Sequence, residues 1–271
     1  GTGERITAAA VVTDIGLDGG ELPSKRAIAR ATETLFARSL DAARRGAQLI
    51  VWNEGATVVE KSQETRFLRR AETLARTRRV DLVVAYVVPL QGMRRFENKY
   101  VWLTAKGIAE TYHKHHPVPG EGSIRGEAPL RVLTRPYGKV AGAICYDYDF
   151  PAMARAHGRG GAGIVALPSS DWRGIDPLHS KMSRLRAIEG GFALLRPVRW
   201  AHSVAYDRYG RTLATMSWFD DPQRVMLARI PTRGEATLYA RLGDVLPVAN
   251  AALLGLALVV LFARRLRAVT S

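Results

Sequence analysis

The sequence is poor in cysteine and in acidic residues. Cys145 is the only cysteine among 271 residues, which excludes an intramolecular disulfide and a cysteine-rich zinc site. Asp and Glu number 25 against 40 Lys and Arg, and the formal net charge is +15. Such a charge suits nucleic acid or an anionic membrane surface. The basic residues are scattered, however, and no motif interleaves them with aromatic residues, so we expect no nucleic-acid partner.

The sequence also lacks internal repeats and low-complexity linkers. It begins GTGERI, with glycine in place of methionine and without an apolar signal-peptide core. We therefore expect the chain to be part of a longer protein or a processed product. Its length suits one large globular domain, or one domain plus an appendage.

One long segment lacks charge altogether. Residues 245–263 read VLPVANAALLGLALVVLFA, and the basic run RRLR follows at 264–267. A helix of this length spans about 28 Å, close to the hydrocarbon thickness of a bilayer, and it has no polar face. Lys and Arg beside a span favour the cytoplasmic side. We predict a transmembrane helix with a basic cytoplasmic tail over 244–271, and a separate domain over 1–243 on the other side of the membrane.

Apolar strands alternate with helices through the first 243 residues. The patterns predict helices over 24–45, 58–79 and 178–190, and strands over 6–14, 48–54, 81–89, 96–107, 138–147 and 161–172, with three more between 192 and 216. This alternation indicates one α/β domain. Polar residues follow several of the strands, at the edge where such sheets place their binding sites.

Three short segments hold candidate reactive groups. Glu54 follows the apolar strand of VWNEGA, Lys114 lies in the Pro- and Gly-rich loop YHKHHPVPGEG, and Cys145 begins CYDYDFP. Each has an ordinary structural explanation by itself: a solvated turn residue, a loop residue and a buried thiol. The three histidines near Lys114 do not match a metal-ligand spacing on one helix or strand face, so we predict no metal.

Together these segments resemble the nitrilase superfamily of carbon–nitrogen hydrolases. That family places a glutamate after a strand, a lysine in a K-x-H loop and a cysteine in C-Y-E/D-x-x-F-P. The downstream segment SSDWRGIDPLHSKMSRLRAIEGG is similar to a family pattern of S-x-D-W followed by H-x-x-M-x-x-x-R-A-x-E. The resemblance covers residues 5–243 and implies an α/β fold, a nitrilase-like four-layer α-β-β-α sandwich with a C-terminal transmembrane helix added in this chain.

The resemblance also implies the roles of individual residues. Glu54 would be the general base, Cys145 the nucleophile that forms a thioester, and Lys114 a donor to the tetrahedral oxyanion. No cofactor is implied. Three supporting residues are implied as well. Glu121 matches a second glutamate that positions the lysine, and Tyr146, directly after the nucleophile, supplies a backbone N–H donor. Asp147 matches an acidic position of the family, and its alternative interpretation is an ordinary loop carboxylate.

The C-terminal segment narrows the resemblance to one branch. GEATLYARLGD at 234–244, followed by an apolar run, resembles the C-terminal domain of the apolipoprotein N-acyltransferases. This implies a phospholipid acyl donor, a lipoprotein acceptor, a lipid bilayer as partner, and a bacterial-type inner membrane with the catalytic domain on the periplasmic side. Two other functions stay open: a membrane-anchored amidase that hydrolyses a small amide, and a non-catalytic membrane-anchored scaffold.

Overall fold

Two six-stranded sheets pack face to face, with helices on both outer surfaces. The structure, a computed structural model, describes residues 4–16, 23–90 and 95–270. This arrangement confirms the predicted α/β fold with two sheets in a four-layer sandwich. The division of the chain at residue 243 stays a prediction.

The first sheet has the strand order β14-β1-β2-β3-β4-β5. Strands β1, β2 and β3 are parallel, whereas β4, β5 and β14 pair antiparallel to their neighbours. Its strands are β1 (Arg5–Val11), β2 (Leu49–Trp52), β3 (Asp81–Pro89), β4 (Phe96–Thr104), β5 (Gly107–His113) and β14 (Val225–Pro231).

The second sheet has the strand order β13-β12-β10-β8-β7-β6, with a parallel centre formed by β7, β8 and β10. Its strands are β6 (Leu133–Arg135), β7 (Gly138–Gly142), β8 (Ile164–Ala166), β10 (Ala193–Arg196), β12 (His202–Tyr206) and β13 (Thr212–Ser217). A separate short pair, β9 (Ser169–Ser170) and β11 (Val198–Arg199), extends from this sheet.

The six α-helices in the described ranges are α1 (Lys25–Arg44), α2 (Glu64–Arg78), α3 (Pro151–Arg159), α4 (Leu178–Gly190), α5 (Leu238–Leu242) and α6 (Val245–Thr270). Helix α1 begins as predicted, because the Ser24 hydroxyl accepts a hydrogen bond from the Ala27 N–H at 3.2 Å. It ends before Gly46, whose φ of +88° suits a residue without a Cβ.

Strand alternation builds two cores. Ala8 and Ala10 of β1 face the second sheet, where they join Val140 and Ile164, whereas Ala9 and Val11 face the outer helices. Phe36 of α1, with other apolar residues of α1 and α2, covers that outer face. Residues on alternate sides of a strand thus bury both faces of the first sheet.

Several predicted elements differ from those observed. Helix α2 begins at Glu64, six residues later than predicted, because Val58 still bridges to Val87 of β3. The predicted strand over 138–147 ends at Gly142, and a 3₁₀ helix, Cys145–Asp149, follows. Helix α3 and strand β14 were not predicted. Gly, His and Arg interrupt the apolar pattern of α3, and charged residues flank β14.

Helix α6 forms where the transmembrane helix was predicted, and its described apolar side chains are exposed, Leu253, Leu254 and Phe262 among them. No helix in the described ranges is both long and apolar enough to cross a membrane. The predicted transmembrane helix over 244–271 is therefore not confirmed. The side chains at 264 and 266–270, which include most of the predicted basic tail, lie outside the described part of the chain.

Candidate active site

The predicted reactive residues follow strands of both sheets. Glu54 comes after β2 and Lys114 after β5 in the first sheet, and Cys145 comes after β7 in the second. The segment 168–171 joins the two sides, because the Cys145 N–H donates to the Pro168 carbonyl at 2.9 Å and the Glu54 N–H donates to the Ser169 carbonyl at 3.3 Å. The fold therefore brings the three residues to one edge, where the carboxyl ends of the parallel strands meet.

Four side chains form a closed hydrogen-bond ring beside Cys145. The Lys114 ammonium donates to Glu54 Oε1 and to Glu121 Oε2, both at 2.8 Å. The amide Nδ2 of Asn98 donates to Glu54 Oε1 at 2.7 Å and to Glu121 Oε1 at 2.9 Å. The ring thus alternates two donors with two carboxylates.

The charges of this ring stabilise one another. Burial opposes the charged form of Lys114, but the nearby carboxylates of Glu54 and Glu121 outweigh it and raise the Lys114 pKa above its usual range. Burial likewise opposes ionisation of Glu121, yet Lys114 and the hydrogen bonds from Asn98 and the Val118 N–H lower the Glu121 pKa. Lys114 is therefore an ammonium donor at neutral pH, and Glu121 is a carboxylate.

Cys145 sits in a strained turn at the start of the 3₁₀ helix. Its φ is +45°, a left-handed conformation that residues with a side chain rarely adopt. The thiol is only 4% exposed. It lies 3.6 Å from the Ser170 carbonyl oxygen and 3.9 Å from Asp171 Oδ1, both within hydrogen-bonding distance for sulfur.

The surroundings keep this thiol protonated at neutral pH. Burial raises the pKa of Cys145 well above its usual value, and the carboxylates of Glu54 and Asp171 raise it further. The cations Lys114 and Arg196 act in the opposite direction without reversing the shift. The resting residue is therefore a thiol, and its attack on a substrate requires a base.

Cys145, Asp171 and His179 form a compact, catalytic-like group. Cys145 was in the predicted set with Glu54 and Lys114, whereas Asp171 and His179 were not. Their ligand atoms lie within 4.8 Å of one another. Asp171 Oδ1 lies 2.7 Å from His179 Nδ1, and His179 Nε2 lies 2.8 Å from Asp149 Oδ1. The prediction thus missed the side chain that hydrogen-bonds the thiol, because Asp171 lies 26 residues after Cys145 and only the fold brings the two together.

Arg196 supports this group from the core. It is fully buried, and its guanidinium donates to Asp171 Oδ1 at 2.8 Å and to Oδ2 at 3.1 Å. Although burial opposes the Asp171 charge, Arg196 and His179 lower the Asp171 pKa to about 2. Burial disfavours the imidazolium of His179, but hydrogen bonds to Asp149 and Asp171 raise its pKa.

A thiol, a carboxylate and an imidazole are also ligand types that bind zinc. Here the ligand atoms are already engaged within the protein. Arg196 occupies both oxygens of Asp171, and His179 is held between two carboxylates that favour its protonated form. Metal binding needs a deprotonated imidazole nitrogen and displacement of the guanidinium, so the chemistry of this group suits a network of charged side chains.

The two residues after Cys145 have different surroundings. Tyr146 is in the first turn of the 3₁₀ helix, where the backbone N–H has no preceding helical carbonyl to bond. Asp147 is fully buried, and it accepts hydrogen bonds from the Tyr112 hydroxyl and from the backbone N–H groups of His116 and Ile144 at 2.7–2.9 Å. Asp147 is thus no ordinary loop carboxylate, since it ties the cysteine turn to the lysine loop.

The family model for carbon–nitrogen hydrolases matches residues 12–239. The amidase from Nesterenkonia sp., a solved structure, superposes with a TM-score of 0.71 at 19% identity, covering 92% of this chain and 98% of that one. At that identity the likeness shows the fold alone.

Two curated relatives match shorter parts of the sequence. An apolipoprotein N-acyltransferase from Bradyrhizobium diazoefficiens is 33% identical over 105 residues, which is 38% of this chain and 19% of that protein. A deaminated glutathione amidase from Rattus norvegicus is 29% identical over 147 residues, 46% of this chain and 45% of that protein. The chain thus spans less than half the length of these relatives.

Proposed function

The chain belongs to the carbon–nitrogen hydrolase family, and we propose that it is a membrane-bound acyltransferase. In this proposal it moves an acyl chain from a phospholipid to the N-terminal amine of a lipoprotein, through a thioester on Cys145. The observation that carries the proposal is the position of the single thiol, in a strained turn next to a buried glutamate–lysine–glutamate ring. The matches to proteins named apolipoprotein N-acyltransferase support the choice of reaction.

Glu54 is the base in this proposal because its neighbours are unsuited to the role. Asp171 has a pKa of about 2, so it is a poor proton acceptor although its Oδ1 lies 3.9 Å from the thiol sulfur. Both ring nitrogens of His179 are engaged with carboxylates, and Lys114 is an ammonium. In the described ranges the hydrogen bonds to the Glu54 carboxylate fall on Oε1, which leaves Oε2 to accept the proton.

The first half-reaction forms the thioester. Glu54 takes the thiol proton as the sulfur of Cys145 attacks the ester carbonyl carbon of the phospholipid. The oxyanion that forms accepts hydrogen bonds from the Lys114 ammonium and from the Tyr146 N–H. When the tetrahedral intermediate collapses, the carbon–oxygen bond breaks, and the lysophospholipid alcohol leaves with the proton from Glu54.

The second half-reaction transfers the acyl group. The lipoprotein amine attacks the thioester carbonyl, and the same two donors hold the oxyanion. Glu54 removes a proton from the amine and returns it to the sulfur as the carbon–sulfur bond breaks. The products are an amide and the free Cys145 thiol, so the enzyme is unchanged after one cycle. Asp147 acts in positioning, because it holds the turn in place.

Contact with lipid is part of the same proposal. The exposed apolar side chains of α6, with Leu238 and Leu242 on α5 just before it, present a hydrocarbon-like surface continuous along the chain. Large exposed apolar areas of this kind are typical of membrane or protein contacts. The net charge of +15 favours an anionic lipid surface, such as that of a bacterial inner membrane.

A second candidate is an amidase that hydrolyses a small amide with the same residues and water as the acceptor. It is favoured by the relatives named deaminated glutathione amidase, whose match covers 46% of this chain. Because this reaction shares the thioester step, residue substitutions alone do not separate the two activities.

The acyl acceptor separates them. We would incubate the full chain in vesicles containing a phospholipid with a labelled acyl chain, together with a peptide that carries an N-terminal diacylglyceryl-cysteine. We expect labelled peptide, and none with Cys145→Ala. Hydrolysis of small amides such as butyramide without phospholipid turnover would replace this proposal with the amidase. Failure of Cys145 to react with either donor would favour the scaffold.

A further inference from the structure

A buried asparagine links the two carboxylates of the active-site ring. Asn98 is the third residue of β4 and is only 3% exposed. Its Nδ2 donates to both Glu54 Oε1 and Glu121 Oε1, at 2.7 and 2.9 Å. The same two side chains accept the two hydrogen bonds from Lys114.

The position of Asn98 follows from strand register. Lys99 of β4 pairs with His113 of β5, and the Lys114 N–H donates to the Asn98 carbonyl at 2.9 Å, which extends the ladder by one residue. Asn98 and Lys114 are therefore directly opposite, and cross-strand pairs of this kind share one face of the sheet. The pairing of β4 with β5 thus places both donors of the ring.

The orientation of the amide is set by its neighbours. Two carboxylate oxygens face one nitrogen, so exchange of Nδ2 and Oδ1 would place an oxygen against two negative charges. In this orientation Asn98 Oδ1 is buried and has no hydrogen-bond partner within the described residues. An unpaired buried acceptor is unfavourable for folding alone, which indicates a role in the site.

We propose that Asn98 is a positioning residue of the acylation step, which fixes Glu54 and Glu121 on either side of Lys114 and keeps Glu54 Oε2 available for the thiol proton. This inference rests on the proposed function. Asparagine suits the position because its single amide nitrogen carries two N–H donors. Serine supplies one donor, alanine none, and aspartate adds a third carboxylate to the ring.

The effect on pH dependence follows from the charges around the ring. The carboxylates face the Lys114 ammonium and the Cys145 thiol, while Asp171 and Arg196 act on the thiol from the other side. The hydrogen bond from Asn98 helps to lower the Glu121 pKa. Its removal raises the pH at which Glu121 gains its proton, so the acidic limb of activity moves to higher pH.

The test uses the full chain and p-nitrophenyl butyrate, an activated ester that acylates a thiol. We expect Asn98→Ala to lower kcat on the order of 100-fold with little change in KM, as for misplaced catalytic groups. Asn98→Asp should be at least as slow with a larger shift of the acidic limb, and Asn98→Ser should recover part of the rate. Thr104→Val, a buried polar residue on the same strand, is the control and should keep both rate and pH profile.

The outcomes are separable. Loss of activity in Cys145→Ala and Glu54→Gln, with wild-type kcat and pH profile in Asn98→Ala and Asn98→Asp, would overturn the role of Asn98 and leave the proposed function intact. A rate loss in the Asn98 variants that leaves the acidic limb unmoved, or that Thr104→Val reproduces, would reduce Asn98 to a structural residue. Full activity in Cys145→Ala would overturn the proposed function itself.

Discussion

Replacing Arg196 with methionine removes the cation beneath the nucleophile while keeping a side chain of similar length. Arg196 is fully buried and donates to both oxygens of Asp171, which is itself almost fully buried. Removal of one partner of a buried ion pair costs about 3–5 kcal/mol, because the other charge stays buried. His179 still contacts Asp171, so we expect a loss near the lower figure, about 3 kcal/mol.

Urea unfolding at pH 7 measures this loss. For a chain of this size the midpoint should fall by about 1 M. Asp171→Asn alone should also destabilise the protein, but the double variant should be less damaged than the sum of the two by about 2 kcal/mol. The control is Arg45→Met, because the ion pair of Arg45 with Asp41 is exposed and contributes at most about 0.5 kcal/mol. Additive losses from Arg196→Met and Asp171→Asn would refute this reasoning.

Three further expectations concern the same site. Because the Asp171 pKa falls from 3.8 to about 2 on folding, the wild type gains on the order of 2 kcal/mol over Asp171→Asn above about pH 4. Urea titrations should show this gain disappearing as the pH falls through 2. The His179 pKa is raised on folding, so its contribution to stability has the opposite pH dependence. Stability of the wild type relative to His179→Gln should be largest below about pH 6.5 and decline as the pH rises. Alkylation of Cys145 by iodoacetamide, followed by mass spectrometry, should be slow at pH 7. In Lys114→Met the alkylation should begin at a higher pH than in the wild type, because the ammonium lowers the thiol pKa. An unchanged alkylation profile in Lys114→Met would contradict the assigned electrostatics.

Short apolar runs and the polar residues after them were enough to predict an α/β domain and the edge that holds the site, whereas the two-sheet sandwich was implied only by the family resemblance. Glu54 and Cys145 could be located because each ends or follows an apolar strand. Lys114 could be located only through its motif, since its loop has no periodic pattern. The structure adds that β5 ends at His113, which makes Lys114 another residue at a strand end.

The hydrogen-bond partners of these residues were harder to predict, because strand register and packing determine which side chains meet. Asn98 occurs on the face of β4 that also carries Tyr100 and Trp102, and Arg196 interrupts the apolar strand FALLRPV. A polar residue on an apolar strand face is a recognisable signal, since such residues are rarely buried without a partner. The partner itself depends on contacts between residues far apart in the sequence, as for Asp171 and Arg196.

The central claim, that Cys145 carries the acyl group and Glu54 activates it, is tested most directly by intact mass. The chain has one cysteine, so a thioester formed with a phospholipid or p-nitrophenyl ester adds the mass of one acyl group at a known site. We predict an adduct that hydroxylamine removes, that is absent in Cys145→Ala, and that forms at least 100-fold more slowly in Glu54→Gln, as for loss of a general base. An adduct at wild-type rate in Glu54→Gln, or one that persists in Cys145→Ala, would contradict the account.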